Sequence, residues 1–465
     1  MSVPSGGSDS GERGTHADPA SAKLTVVVGD THFSEEKTLL VQSCDYFQAL
    51  YRSGMKECRQ REIHLKGLRA RGFLITLSVL RGQAPVLDAD DLVEAIECAA
   101  FLQAGGLTKH LIDLIDSDNC LLMYHTAATF GLMDLRHAAA LFIRDVYADV
   151  EADARRALPP ELIRYVESLS RSAFVAVGAH VTCGAEETVH AASRTICYLD
   201  ESADHWEVLC DLPPEASTSM AGVTVLDNKL YVVGGVHRVQ KQVVDACFCY
   251  SVEDNSWSRT VGPAQPRYNL SLVGADGRLY AVGGECERTV MSSVETYEVK
   301  SGRWEFAAHL PRPAAGAACT TAMGRIFVCL WRPMETTEIY EYAPEKDAWL
   351  LVTTLIRHHS YGHCVVGHRD NLYVMRNGPS DDFLRCLMDC YSLRSGQWSS
   401  LPGHFANSKG SLFTAVIRGD SALTLNRTMT LEYSIQSQTW RPRRQMKGFP
   451  RSGSVWTFLL RLPDK

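Results

Sequence analysis

Tryptophan recurs at nearly regular intervals along the second half of this chain. Six tryptophans are separated by 51, 47, 45, 49 and 42 residues, and a tyrosine precedes each one. The separation is seven residues in five units and eight in the first; the pairs are Tyr198–Trp206, Tyr250–Trp257, Tyr297–Trp304, Tyr342–Trp349, Tyr391–Trp398 and Tyr433–Trp440. A period of about 40–50 residues is typical of a propeller array. Such folds usually present a binding surface, so the pattern directs attention to a partner rather than to a reaction.

Short strands separated by turn residues fill each repeat after about residue 172. Glycine tolerates backbone conformations that a side chain forbids, so a glycine pair after a strand allows close approach near a propeller axis. Asp-Asn and Asp-Gly dipeptides predict tight hairpins between neighbouring strands. The two clearest units contain the pairs Gly234-Gly235 and Gly283-Gly284 and the dipeptides Asp227-Asn228 and Asp276-Gly277.

The first repeat lacks a first strand, and the C-terminus offers a replacement. The segment Ser454–Leu460 has the composition of a strand and no partner of its own in the repeat pattern. We predict that it pairs into the first blade and closes the ring, which leaves no sheet edge open at that point. Residues 172–465 are therefore predicted to form a six-bladed propeller.

The chain before residue 172 has three parts. Residues 1–22 contain almost no large apolar side chains, so we predict a disordered tail. Residues 23–116 begin with the β-branched run Leu24–Val28 and continue with helical spacing, which predicts a mixed α/β domain. Residues 117–171 form a short helical region.

Composition restricts the class of protein. The net charge of −7 over 465 residues argues against a protein that coats nucleic acid through bulk charge. The 15 cysteines include no C-x-x-C pair, so we predict no metal site and reduced thiols in a reducing compartment. Neither a signal peptide nor a stretch of 18 apolar residues is evident, so we expect no membrane span and a cytoplasmic protein.

These patterns resemble a known arrangement. The repeats resemble kelch repeats, with glycines after the second strand and a spaced Tyr and Trp on the later two. The stretches Ser43–Glu57 and Glu94–Gln103 resemble a BTB domain, and the helices after residue 117 resemble the start of a BACK domain. The chain is thus similar to BTB–BACK–kelch proteins, which implies an α+β BTB domain, a short helical BACK-like region and an all-β six-bladed kelch propeller.

The resemblance implies a substrate adaptor of a cullin-3 RING ubiquitin ligase, in which the BTB domain binds cullin-3 and the propeller binds the substrate. The family's hydrophobic-X-Glu cullin motif falls on Met55-Lys56-Glu57, where an apolar anchor fills a pocket and a carboxylate fixes the register. The adaptor would be non-catalytic and need no cofactor. The residues expected to contact cullin-3 are Tyr46, Phe47, Met55, Glu57, Leu80 and Arg81.

Several positions depart from the family's pattern. Lys23 replaces a common Asp, Glu36 a common His, and Leu80-Arg81 a common Tyr-Thr near the expected cullin face. The polar tail also stands where dimeric relatives have an apolar helix. The family's BTB homodimer is therefore left open for this chain.

Arginine is frequent in the loops expected to line one face of the ring, whereas only Glu285, Asp381 and Asp382 supply acids there. Because arginine makes bidentate contacts to carboxylates, we hypothesise a basic pocket for an acidic peptide or protein surface. Trp331 is the unusual loop residue and serves either as an interface anchor or as packing against a neighbouring blade. The predicted face comprises Arg238, Arg267, Tyr268, Asn269, Arg288, Arg312, Trp331, Arg332, Tyr361, His363, Arg376, Asn407, Lys409, Arg427 and Arg451.

Three other functions compete with the adaptor. A cytoskeletal scaffold is the main alternative, since several kelch proteins bind actin filaments and a basic face suits acidic actin. An enzyme on a propeller, as in copper oxidases of the kelch type, needs a nucleophile–base set or metal cluster that the sequence does not offer. A transcriptional regulator of the BTB class usually carries zinc fingers, and none are present.

Overall fold

Two units of different texture make up the structure, which is a computed structural model. The first consists of Met1–Ile115 and Asn119–Ala139, and the second of Asp116–Asp118 and Ala140–Lys465. The predicted tail, residues 1–22, lies outside the described residues. The structure describes residues 23–54, 60–147, 150, 158–180, 193–203, 205–237, 242–332, 336–356, 362–377, 385–402, 405–406, 415–425, 429–445 and 455–463.

A three-stranded sheet forms one layer of the first unit. Its strands are β1 (Lys23–Val28), β2 (Thr31–Glu36) and β3 (Glu62–Leu65), in the order β2-β1-β3. β1 runs antiparallel to β2 and parallel to β3. The β-branched run of β1 is buried, as its composition predicts.

Helices cover this sheet and continue the chain. Two of them have recognisable capping residues: the Asp88 side chain accepts a hydrogen bond from the Asp91 amide at 2.8 Å, and Gly131 ends a helix at a φ of 72°. The helices are α1 (Lys37–Ser43), α2 (Asp45–Arg52), α3 (Ala70–Leu80), α4 (Ala89–Leu102), α5 (Gly105–Asp113), α6 (Cys120–Phe130), α7 (Met133–Asp145) and α8 (Pro160–Glu167).

Helices α3 and α4 pack closely because α3 carries a glycine at the contact. A Cβ atom at Gly72 would lie 2.6 Å from the Glu94 carbonyl oxygen and 2.9 Å from the Cys98 sulfur. Beside it, Arg71 donates two hydrogen bonds to the Asp91 carboxylate, at 2.8 and 2.7 Å. The bidentate pair fixes the two helices in register.

Six antiparallel sheets make up most of the second unit, and each is one blade of a propeller. The strands are β4 (Ser172–His180), β5 (Ser193–Asp200), β6 (His205–Asp211), β7 (Gly222–Leu226), β8 (Lys229–Val233), β9 (Ala246–Ser251), β10 (Ser256–Val261), β11 (Ser271–Ala275), β12 (Arg278–Val282), β13 (Glu285–Cys286), β14 (Thr289–Val290), β15 (Val294–Glu298), β16 (Arg303–Ala307), β17 (Ala318–Ala322), β18 (Arg325–Arg332), β19 (Thr336–Ala343), β20 (Ala348–Ile356), β21 (Gly362–His368), β22 (Asn371–Asn377), β23 (Arg385–Ser392), β24 (Gln397–Ser400), β25 (Phe405–Ala406), β26 (Ala415–Arg418), β27 (Ser421–Leu425), β28 (Met429–Ser434), β29 (Thr439–Gln445) and β30 (Val455–Arg461). From the axis outward the blades are β30-β4-β5-β6, β7-β8-β9-β10, β11-β12-β15-β16, β17-β18-β19-β20, β21-β22-β23-β24 and β26-β27-β28-β29.

The C-terminal strand closes the ring. β30 pairs antiparallel with β4 from Val455 opposite Gly178 to Arg461 opposite Ser172, and so provides the first strand that blade 1 lacks. The innermost strands then contact one another in turn, from β7 through β11, β17, β21 and β26 to β30 and back to β7. They surround a central cavity of about 590 Å³. The two ends of the propeller are therefore joined by one strand pair, β30 with β4, whose residues are far apart in the sequence.

In blades 2 and 3 a glycine pair connects the blade to the next one. Gly283 has a φ of 58°, and a Cβ atom there would lie 2.2 Å from the Ala314 carbonyl oxygen of the next blade. The Gly284 amide donates to that same oxygen at 2.8 Å. In the preceding blade, Gly235 donates to Arg267 at 3.0 Å in the equivalent way. The pair is thus required both for a left-handed backbone and for close approach between blades.

Blades 4 and 5 lack the glycine pair, and their strands run on instead. In blade 4 the ladder between β18 and β19 continues through Leu330 opposite Glu338 to Arg332 opposite Thr336. In blade 5, Asn377 still pairs with Cys386. Without glycines to turn the chain, the second and third strands extend toward the loop face.

The seven-residue spacing of Tyr and Trp has a direct geometric cause. It places the two residues opposite each other on the third and fourth strands, as with Tyr297 and Trp304. In blades 2 to 6 the ring centroids of such pairs lie 5.1–5.3 Å apart. Each tryptophan also lies in a core cluster between its own blade and the preceding one, as Trp304 does. The repeat therefore marks the seams between blades.

Blade 1 shows what the eight-residue spacing does. The extra residue puts Trp206 opposite Leu199 and Tyr198 opposite Glu207. Trp206 stacks on Phe174 at 5.6 Å, in the seam with blade 6. Tyr198 joins the core on the other face, toward blade 2, since a shift of one residue moves a strand side chain to the opposite side.

Candidate functional site

The first candidate surface lies on helix α2 of the N-terminal unit. Phe47 is completely buried, so the prediction that it contacts cullin-3 is wrong: it belongs to the core. Its neighbour Tyr46 is half-buried, with its ring 5.2 Å from that of Phe101, which is 41% exposed. Helical geometry turns adjacent residues to different faces, so only one of the pair can reach a partner. Met55 and Glu57 lie outside the described residues.

The end of α3 contributes an apolar residue and a cation. Leu80 is half-buried, and its Cδ2 atom would lie 3.8 Å from a Cβ atom at Gly106 on α5. Arg81 is exposed and forms an ion pair with Glu35, a buried carboxylate on β2. Arg81, the cation that replaces the family's neutral side chain, is therefore partly neutralised by Glu35. A partner meets a weaker positive field there than the sequence implies.

Two other departures from the family pattern lie directly opposite each other. Lys23 on β1 pairs in register with Glu36 on β2. A basic residue on β1 thus faces an acidic residue on β2. In the family pattern the acidic Asp stands on β1 and the His on β2, so the charges are exchanged between the two strands. The sequence gives no sign of this relation, because the pairing register becomes visible only in the folded sheet.

The second candidate surface is the loop face of the propeller. Of the predicted residues, six have described side chains: Arg267, Tyr268, Asn269, Arg288, Arg312 and Arg376. The remaining predictions fall outside the described residues or on side chains that the structure does not describe; these are Arg238, Trp331, Arg332, Tyr361, His363, Asn407, Lys409, Arg427 and Arg451.

Arg267 is not a surface residue, and its prediction is wrong. Its side chain is 0% exposed and forms an ion pair with Glu295 on β15, which is also 0% exposed. The guanidinium donates further hydrogen bonds of 3.0 Å to the Gly283 and Ser293 carbonyl oxygens. Burial lowers the pKa of Arg267, while the adjacent carboxylate of Glu295 acts in the opposite direction. Both terminal nitrogens of the guanidinium have partners, so Arg267 attaches the loop before β11 to blade 3.

Glu295 completes that junction. Its carboxylate accepts hydrogen bonds from the backbone amides of Ala264 at 2.6 Å and Gln265 at 3.1 Å. One buried acid therefore satisfies an arginine and two amides that have no other strand to pair with. This is a structural junction rather than a binding site.

Two more of the predicted cations are paired with acids. Arg312 donates from Nε to Glu338 on β19 at 3.2 Å. Arg376 pairs with Asp389 on β23, which is completely buried and also accepts from Ser400 at 2.6 Å. Only three acids were predicted at this face, and those of the third strands were missed. A signal existed, since an acid stands two residues before the repeat tyrosine in units three and five.

The described part of the loop face is less basic than the sequence implies. Of the predicted arginines with described side chains, Arg267, Arg312 and Arg376 pair with carboxylates, which reduces the positive charge available to an acidic partner or an acidic filament. Arg288 differs from them because it is exposed at the tip of the hairpin formed by β13 and β14. Both turn residues there have a positive φ, 49° for Glu287 and 68° for Arg288.

A hydrogen-bonded chain connects the inner loops of three successive blades. The Asn269 amide donates to the Met220 carbonyl oxygen at 2.6 Å, and the Gly316 amide donates to the Asn269 carbonyl oxygen at 2.7 Å. All three residues have a φ between 52° and 61° and line the central cavity. The Asn269 side chain also donates to Glu285 at 2.8 Å. This repeated left-handed turn makes a rigid rim on which Met220 is exposed.

Within the described ranges, no three His, Cys, Asp or Glu side chains form a group that could hold a metal ion. Burial raises the pKa of several thiols, to about 12 for Cys247 and Cys319, which keeps them protonated. No described helix has the length and apolarity to cross a membrane.

Comparison with known proteins agrees with this geometry. The BTB/POZ domain matches residues 20–119, and the Kelch motif matches residues 217–261 and 266–311. "Kelch repeat and BTB domain-containing protein 13" of Homo sapiens is 54% identical over 95% of both chains, and its Mus musculus counterpart is 53% identical over 93% of both. "Kelch-like protein 42" of Mus musculus is 27% identical over 96% of this chain and 99% of its own length.

This chain belongs to the BTB–kelch family. The two Kelch motif matches in this BTB–kelch protein correspond to blades 2 and 3, which are the blades with the glycine pair. Blades 1, 4, 5 and 6 have the same strand order without a matching motif. The blade architecture thus persists where its sequence signature has been lost.

Proposed function

We propose that this BTB–kelch protein is the substrate-recognition adaptor of a cullin-3 RING ubiquitin ligase. Its N-terminal unit would bind cullin-3, and its propeller would bind the substrate. The observation that carries the proposal is the combination, in one chain, of a BTB domain and a complete propeller. The adaptor is non-catalytic and acts in the cytoplasm, and the chemistry belongs to its partners.

Described residues of the N-terminal unit support the cullin-contacting part of the proposal. Tyr46 and Leu80 offer half-buried apolar surface, and Arg81 offers a cation whose charge is partly balanced by Glu35. Met55 and Glu57 complete the set on the strength of the family motif. Apolar anchors usually supply most of the binding energy at such interfaces, whereas rim charges mainly adjust the rate of association.

We infer a revised substrate-contacting set from the described residues. Buried Arg267 is removed from it, and its described part consists of exposed Met220 and Arg288 with half-buried Tyr268 and Asn269. A rim of this composition suits a protein segment that combines apolar contacts with backbone hydrogen bonds. In this proposal the substrate need not be the acidic peptide or acidic protein surface hypothesised from the sequence.

The test is the affinity of the full chain for the N-terminal region of cullin-3, measured by isothermal titration calorimetry. The double variant Met55→Ala with Glu57→Ala removes the anchor and the carboxylate, and we expect it to weaken binding at least about tenfold, since one hot-spot residue commonly contributes 2 kcal/mol or more.

The control is His64→Ala, which changes an exposed residue of β3. It should leave the affinity unchanged. Equal affinity of wild type and the double variant, or no binding by folded wild-type protein, would contradict the proposal.

A further inference from the structure

The outermost strand of blade 4 differs from its counterparts in the other blades. β20 has nine residues, Ala348–Ile356, and none of them is charged. It ends the sheet order of its blade, so β19 is its one strand partner among the described residues. The backbone groups of Ala348–Leu355 that point away from β19 are therefore available to another strand.

The other five outermost strands are protected in the ways that proteins usually guard sheet edges. Charged side chains, proline and short length all discourage pairing with another chain. These features are Glu207 and Asp211 in β6, Arg259 in β10, Arg303 and Glu305 in β16, the four-residue length of β24, and Arg441 with Pro442 in β29.

β20 is long because it pairs along the whole extended third strand of blade 4. β18 and β19 continue to Arg332 and Thr336, and β20 follows β19. The seam contact shows the difference: Trp304 donates from Nε1 to Val261, the last residue of β10, whereas Trp398 donates to the Thr353 hydroxyl in the middle of β20. The outermost strand of blade 4 therefore continues beyond the point where the tryptophan of the next blade packs, whereas β10 ends at that point.

Aliphatic side chains are exposed along this edge. Leu350 is 42% exposed and Leu351 is 55% exposed, and Thr354 beyond them is exposed as well. Leu350 and Leu351 are adjacent, so they lie on opposite faces of the sheet and border the free edge on both sides. An uncharged edge with apolar side chains on both faces is a template for strand pairing.

We propose that β20 pairs with β20 of a second copy of this chain, in an antiparallel arrangement that joins two propellers edge to edge. The charge pattern selects this occupant. A two-fold interface places each surface against itself, and β20 brings no like charges together when it does so. The same operation on β16, centred on Glu305, would oppose two carboxylates.

The bulge in β20 fixes the register of the pair. β20 opposes β19 with one extra residue, Val352, between Leu351 and Thr353. Pairing centred on Val352 brings the two bulges together on the axis, so the ladder is interrupted once rather than twice. Leu350 then lies opposite Thr354, and Leu351 opposite Thr353. These are cross-strand contacts between apolar and β-branched side chains.

The test is sedimentation velocity of the full chain over a wide range of concentration. The variant Leu351→Lys with Thr354→Lys puts charges on the edge, and we expect self-association to weaken at least about tenfold. The matched control is Phe306→Lys on β16, which has a similar exposure of 56% and should behave as wild type. Thermal melts of all three proteins confirm folding.

Hydrogen exchange provides a second measurement that locates the contact. Amides of residues 348–355 should become more protected as the wild-type concentration rises, and should not do so in the lysine variant. Any association through the N-terminal unit would affect all three proteins alike. Equal association of wild type and the lysine variant, or protection of this strand that does not change with concentration, overturns the proposal.

Discussion

Arg267 illustrates how much of this molecule depends on single buried groups. The pair that it forms with Glu295 has no exposed atoms in either side chain. Removing one member of a buried pair leaves an uncompensated charge, whereas replacing both by apolar residues removes the desolvation cost as well. The two changes should therefore have very different effects on stability.

We expect Arg267→Met alone to lower the free energy of unfolding of the propeller by about 3–5 kcal/mol. The double variant Arg267→Met with Glu295→Leu should recover much of that loss, although the amides of Ala264 and Gln265 would lose their acceptor. Urea unfolding of wild type and both variants measures these free energies. If Arg267→Met were as stable as wild type, the ion pair would not contribute to stability and Arg267 would be better described as a surface residue.

Asp420 links loops of blades 5 and 6 and gives the propeller an acid-sensitive junction. Its carboxylate accepts from His368 at 3.0 Å and from Arg369 at 2.6 Å. Burial raises the pKa of Asp420, but the hydrogen bonds of His368 and Ser117 and the charge of Arg369 outweigh it, so the pKa lies below its ordinary value.

A lowered pKa stabilises the folded state above the pKa of the unfolded chain, near 4, and the contribution disappears as pH falls through the folded value. We expect Asp420→Asn to cost roughly 1–3 kcal/mol at pH 7. The difference between wild type and variant should shrink steadily below pH 4, as measured by urea unfolding at several pH values. A difference that stays constant down to pH 2 would show that ionisation of Asp420 plays no part.

Elements of the fold were predictable where local sequence decides the conformation. The glycine pairs, the turn dipeptides, the Asp88 cap and the strand of the C-terminus all carry local signals, and the structure has them. Phe47 and Arg267 were misplaced because burial depends on which face a helix turns inward and on partners such as Glu295, 28 residues away. Neither property can be derived from the residue and its neighbours.

Gly283 and Gly277 separate backbone strain from steric conflict between blades. Both have positive φ, 58° and 71°, but a Cβ atom at Gly283 meets the Ala314 carbonyl oxygen at 2.2 Å whereas at Gly277 it meets nothing within 4 Å. We expect Gly277→Ala to cost about 1–2 kcal/mol and Gly283→Ala more than about 3 kcal/mol. Similar losses in chemical denaturation would mean that the blades move apart freely.

The pairing of β30 with β4 should be essential to the ring. A chain that ends at residue 451 loses the innermost strand of blade 1 and exposes the edge of β4. We expect this truncated chain to lose the cooperative thermal transition of the propeller. Deletion of residues 1–22 is the control and should leave that transition in place. An unchanged melting profile after removal of the C-terminal strand would contradict the role given to β30.

The whole molecule combines a BTB domain with a propeller whose described arginines are paired with acids more often than the sequence-based expectation allowed. Fold class and family could be predicted from the repeat period, the BTB and kelch motifs and the resemblance, because all of these are visible in the amino-acid sequence itself. The character of the candidate surfaces did not, because it depends on which charges the fold brings together: Arg81 with Glu35, Arg312 with Glu338 and Arg376 with Asp389.

We propose that the N-terminal unit joins this protein to cullin-3 while the propeller loops remain free for the substrate. The most direct measurement is sedimentation velocity of the full chain mixed with the N-terminal region of cullin-3, with hydrogen exchange followed on the same sample. We predict a stable complex in which protection increases around Tyr46 and Leu80 and the propeller loops are unchanged. Absence of a complex, or a complex that protects the propeller instead, would contradict the account.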